Sequence, residues 1–215
     1  MRNTWLLLLV SSITLAGCGG IPSVPYVDPP QDDNTARVRV ITNSNVFGDS
    51  VTGSCAPDTR HKMAEAGRFS EDGQPSINYL QYPLKPANLG MPGRVSPKLQ
   101  QYIGAVRMAE GLYTEIVAEY RVKTDAPFQV ATLGASAGSY GSTYAMCPGQ
   151  AKVFKLEPGK DYEILVGLSS VPSADGKAVI MCMFGVVELI SVPNLPIAWP
   201  KKLGGTESPQ KLCKG

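Results

Sequence analysis

The feature that most constrains this chain is a series of strand-length runs separated by short turn signals over residues 113–192. In residues 113–122, Ile116, Ala118, Tyr120 and Val122 fall on one side of an extended chain, and Glu115, Glu119 and Arg121 fall toward the other. Successive side chains of a strand point to opposite faces, so this pattern reads as a strand with one wet face. Further runs occupy 127–133, 151–156, 161–168 and the strongly apolar 177–192. Glu157-Pro158-Gly159-Lys160 joins two of them as a hairpin turn. An earlier run, 36–42, sets Val38 and Val40 against Arg37 and Arg39. The two arginines are read as a solvated strand face in preference to an anion site. Six or more strands at this spacing predict a mainly β chain folded as an antiparallel β-sandwich.

The first eighteen residues set the compartment. Arg2 is the only charge before an apolar run of about eleven residues, roughly half of what a membrane-spanning helix needs. Small residues then lead to a cysteine, in the string Leu15-Ala16-Gly17-Cys18. A basic start, an apolar core and small residues form a secretory signal. The string resembles the lipobox of bacterial lipoproteins. That resemblance implies cleavage before Cys18, acyl chains on Cys18 and attachment to a membrane through them, several chains together giving stable anchoring. Gly19 follows the cysteine where the enterobacterial sorting rule reads Asp as inner-membrane retention. The expected location is therefore the outer membrane, facing the periplasm. Residues 1–17 are the leader, and 18–35 read as a tether. Pro22, Pro25, Pro29 and Pro30 favour an extended, semi-rigid spacer of about 3 Å per residue.

With Cys18 acylated, Cys55, Cys147, Cys182 and Cys213 are left in an oxidising compartment. An even count there predicts two disulfides, with three possible connectivities. A bridge at Cys213 would pin the Pro/Gly-rich tail, 193–215, to the body at 36–192. Cys182 lies in an apolar run, and its other reading is a buried free thiol. No C-x-x-C occurs, and His61 is the single histidine, which argues against a zinc site.

The long stretch 43–96 is rich in Gly and Pro and predicts loops, with a short strand at 77–82. Asn88-Leu89-Gly90-Met91-Pro92-Gly93 reads as a tight turn presenting apolar side chains, with Met91 as a possible contact residue. Ser96 as a cap and Pro97 in a first turn predict one short helix over 96–108.

Net charge is +2, which points to neither nucleic acid nor a solvating acidic tail, and 43% of residues are hydrophobic, enough for a core. Gly134-Ala135-Ser136-Ala137-Gly138 matches the G-x-S-x-G nucleophile elbow. His61 precedes Ser136, whereas that fold places the histidine after it, so the string reads as a Gly/Ser/Ala loop, with Tyr140 and Tyr144 as contact residues. Glu115 and Glu119 share a strand face about 13 Å apart, wider than a glycosidase pair usually sits, and read as solvated charge. No cofactor motif is present, and no cofactor is expected.

Ala36-Arg37-Val38-Arg39-Val40, Cys55, Leu89-Gly90-Met91-Pro92 and Phe154-x-Leu156-x-Pro158-Gly159-x-Asp161-Tyr162 ahead of Cys182 loosely resemble small proteobacterial lipoproteins. The resemblance implies a sandwich of immunoglobulin or transthyretin type and no catalytic residues. The expectation is a non-enzymatic, lipid-anchored module that meets another envelope protein through a sheet edge or the Gly/Ser/Tyr loop. A small-ligand or glycan binder, with Tyr79, Tyr82, Tyr140 and Tyr144 lining its site, is the alternative.

Overall fold

The computed structural model describes residues 21–67, 80–94, 106–108, 111–137, 145–172 and 178–213. Two six-stranded sheets pack face to face. The first has the order β1 (Ser23–Pro25), β4 (Arg60–Glu65), β3 (Asn45–Ser50), β9 (Phe128–Ala137), β10 (Ala145–Phe154) and β14 (Thr206–Glu207). The second has the order β5 (Gly93–Arg94), β13 (Ile197–Leu203), β12 (Ala178–Ser191), β11 (Asp161–Pro172), β2 (Thr35–Thr42) and β8 (Ile116–Lys123). A small hairpin, β6 (Val106–Met108) with β7 (Gly111–Tyr113), forms a separate two-stranded sheet, with β6 beside β9 and β11.

The alternation read from the sequence builds the core. Val38, Val40, Ala118, Val122, Tyr162, Ile164 and Val186 point inward from the second sheet and meet Val46, Met63, Phe128, Val130 and Phe154 from the first. Each Val, Ile, Met or Phe side chain among them contributes about 1.5–3 kcal/mol by leaving water.

Several expectations change. The sheets are mixed, because β1–β4, β2–β11 and β5–β13 pair in parallel. No helix occurs among the described residues. Val106–Met108, the end of the expected helix, is a strand, and 95–105 lie outside the described residues. Of the short strand expected at 77–82, Tyr82 makes only an isolated bridge to Glu65, and 77–79 are not described. The tail expected to be irregular supplies β13, which pairs with β12 over six residue pairs. Its prolines misled because β5 flanks only Ile197 and Ala198, so most of β13 is an edge, where proline is tolerated.

The tether shortens most. The amide of Arg60 donates to the carbonyl of Pro22 at 2.8 Å, and Ser23–Pro25 pairs with β4. Tyr26 packs edge-on against Tyr120 and Phe128, with ring centroids 5.6 and 6.4 Å away, and its hydroxyl donates to the Arg121 carbonyl at 2.9 Å. The stretch 22–35 therefore belongs to the body. Four residue steps separate Cys18 from Pro22, and they span at most about 14 Å.

The sandwich has two distinct ends. Taking β2 to run upward, the crossing at Asn43 and Ser44 closes the upper end. The crossings 124–127 and 155–160 close the lower one. The registers of β3, β4 and β1 put Ser50, Arg60 and Ser23 at the lower end with Phe128.

Candidate functional site

At the upper end, the β9–β10 and β11–β12 hairpins run on past the last residue of β2 and the first of β8. Side chains bind them to one another. Cys147 and Cys182 point toward each other from facing strands and form a disulfide between the two sheets. Cys147 is buried and packs with Leu168, Ala135 and Ile180, while Cys182 is exposed. The free-thiol reading of Cys182 is thereby replaced. Asn43 continues the β2 ladder after the strand ends: its Nδ2 donates to the Leu168 carbonyl at 2.8 Å, and its Oδ1 accepts from the Leu168 amide at 2.9 Å. Gly167 is required beside it, since its φ is +150° and a Cβ would lie 2.2 Å from Asn43 Oδ1. Asn45 Oδ1 accepts from the Leu133 amide at 2.6 Å, and its Nδ2 donates to the Gly134 carbonyl at 3.3 Å.

This bracing decides what the hairpins display. Met146 and Met181 each precede a cysteine, so strand alternation turns them outward as the cysteines turn toward each other. They are 68% and 53% exposed, on opposite sides of the same disulfide. Leu133 and Val179 add exposed apolar surface nearby. Methionine side chains adapt to irregular partner surfaces. Tyr140 and Tyr144, expected as contacts, belong to the connection at the tip of β9–β10 and lie outside the described residues.

The residues of the rejected hydrolase reading are separated. Ser136 lies within β9, in register with Met146 of β10. The His61 Nδ1 is 2.7 Å from Asp49 Oδ1. Asp49 is in register with Gln129, about 23 Å down the strand from Ser136 at 3.3 Å per residue. The Asp49 carboxylate is buried, and its Oδ2 has no hydrogen-bond partner. Burial raises its pKa against the pull of His61. Among the described residues, no group of three or more His, Cys, Asp or Glu could hold a metal ion. Of the four tyrosines offered as a ligand site, Tyr82 is half-buried beside Glu65, and the other three are not described.

Lower down, the outer face of the second sheet is not solvated as expected. Residues 87–92 cross it as a strap. Arg39, 12% exposed, reaches Glu119 at 2.8 Å and Glu163 at 2.7 Å. It also donates to the carbonyls of Met91 and Pro92 at 2.9 and 3.0 Å. Arg37 forks onto both oxygens of Asp161 at 2.7 Å. Glu119 accepts from the amides of Leu89 and Met91. Glu119 is thus a buried ion-pair member and not solvated charge. Met91, expected to be presented on a turn, is buried with Leu189 and Ala198 beneath the strap. No local pattern marks a loop some fifty residues away as the cover for these arginines.

The strap also closes the exposed edge of β8, where the Glu119 amide donates to the Ala87 carbonyl at 3.0 Å and the Arg121 amide donates to Asp28 at 3.3 Å. That edge is occupied against a further strand. On the other sheet, Cys55–Cys213 ties the tail to the body, and a cleft of about 460 Å³ lies beside it, lined by Ile21, Arg60, Gln129 and Pro209 among others. A second cleft, of about 500 Å³, lies between Arg37, Arg121, Asp33 and Gly159. Cys18 lies outside the described residues. No protein family, curated protein or solved structure matches this chain.

Proposed function

We propose that this chain is a lipid-anchored envelope protein, held through Cys18 at the outer membrane and facing the periplasm. Its sandwich acts as a non-enzymatic interaction module, and the braced upper hairpins meet another envelope protein. The observation that carries this reading is the exposure of Met146 and Met181 on either side of the Cys147–Cys182 bridge. A braced backbone adds little ordering cost on binding beyond that of the side chains themselves, which favours affinity. Two disulfides suit an oxidising compartment. The occupied β8 edge directs the contact to the hairpins, away from strand addition.

Crosslinking in intact cells tests the reading. The parent should give a discrete adduct with a second protein, and a Met146→Glu/Met181→Glu variant, folded by its thermal transition, should lose it. Only monomer in the parent, or the same adduct in both proteins, would sink the proposal.

A further inference from the structure

The short leash and the lower end belong together. The β12–β13 hairpin overhangs β11 there, because Asp161 is the first residue of β11 and lies at the level of Leu189, while Ile190 and Trp199 pair one step beyond it. One face of this hairpin is anchored: Leu189 and Ala198 pack with Met91. The other face displays Ile190 and Trp199, register partners that are 43% and 62% exposed. Leu195 in the connecting turn is 54% exposed. Single exposed apolar residues are ordinary, but three on one overhanging hairpin form a patch that calls for a partner.

We infer that this end of the sandwich rests on the phospholipid surface, with Trp199, Ile190 and Leu195 seated at the headgroup level. The inference rests on the lipid-anchor reading of Cys18. Pro22 is fixed at the lower end by Arg60, and the four steps back to Cys18 reach no further than about 14 Å. A lipid on Cys18 therefore brings that same end of the body to the bilayer, where the expected spacer would have held it off. Tryptophan combines an apolar ring with a polar N–H and concentrates at membrane–water interfaces. Lys201 and Lys202 are exposed further along the same strand, but Asp33, Asp58 and Asp125 are exposed at this end too. The contact is therefore apolar, not electrostatic, and persists at high salt.

The chain has two tryptophans, Trp5 in the leader and Trp199. A Trp5→Phe variant makes Trp199 the sole tryptophan whether or not the leader is removed. The full protein, purified from cells, is reconstituted into phosphatidylethanolamine/phosphatidylglycerol vesicles with or without bromine high on the acyl chains. Its intact mass reads the state of Cys18. An acylated protein should lose most of its Trp199 emission in brominated vesicles, to the same extent at low and high salt. Acylated protein with unquenched, water-like emission overturns the inference and leaves the anchor standing. Quenching that disappears in high salt overturns the apolar contact. An unacylated Cys18 overturns the anchor reading and the inference with it.

Discussion

The two ends of the sandwich are built from different chemistry. The upper end is held by neutral groups: the Cys147–Cys182 bridge and the amide side chains of Asn43 and Asn45, which continue backbone ladders where strands stop. The lower half is held by charge and by a long-range covalent link. Arg37, Arg39, Asp161, Glu119 and Glu163 clamp the strap, Lys160 meets Glu157 and Glu188, Lys123 meets Asp32, and Cys55 takes the tail. The upper hairpins overhang the core and need fixed, uncharged braces to present apolar side chains. The lower half must fold the leading and trailing stretches onto the body, and long-range pairs do that.

The largest effect should come from the lower bridge. Cys55 and Cys213 are 158 residues apart, and the chain-entropy relation gives about 5 kcal/mol for the closed loop. The same relation gives about 4 kcal/mol for Cys147–Cys182, 35 residues apart. Urea denaturation of the two double Cys→Ser variants should rank them in that order. The reverse order would mean that bracing of the hairpins, not loop closure, dominates.

Arg39→Met comes next. It leaves Glu119 and Glu163 buried without their cation, at a cost of about 3–5 kcal/mol. Adding Glu119→Gln and Glu163→Gln should recover most of that loss, and failure to recover it would show that Arg39 acts chiefly through the strap carbonyls.

Asn43→Ala probes the upper end. Leaving the Leu168 amide and carbonyl without Asn43 should cost about 1–3 kcal/mol. Hydrogen exchange should then speed up in the β11–β12 hairpin while the lower half stays protected.

The smallest effect is one of pH. Burial raises the pKa of Asp49, so the folded protein holds this proton more readily than the unfolded chain. Its contribution is fully present below the ordinary carboxylate range and is lost as pH rises through the raised value. Asp49→Asn should therefore gain in Tm relative to the parent on going from acid to neutral pH. The exposed pairs run the other way. Lys123 lowers the pKa of Asp32, and Lys160 lowers that of Glu157, so their contributions are present at neutral pH and fade in acid.

The β-rich core was legible because period-two alternation at Val38 and Val40, or at Ala118, Tyr120 and Val122, needs only local pattern. The two disulfides followed from an even cysteine count, but their pairing depends on which strands meet. Arg37 and Arg39 look identical to solvated residues unless the strap is known, and the strap is joined to them only through the folded chain. Pro22 and Pro25 advertise a spacer, yet Tyr26 carries enough apolar surface to hold the segment on Tyr120 and Phe128. The outward turn of Met146 and Met181 could have been read from their places before cysteines, once those cysteines were known to face each other.

On the proposed reading the molecule has a direction, with Trp199 toward lipid and the methionines toward a protein partner. A photoreactive amino acid placed in turn at positions 146 and 199 in living cells tests it directly. Position 146 should give a discrete protein adduct and position 199 a lipid adduct. A lipid adduct from 146, or a protein adduct in place of lipid from 199, would contradict it.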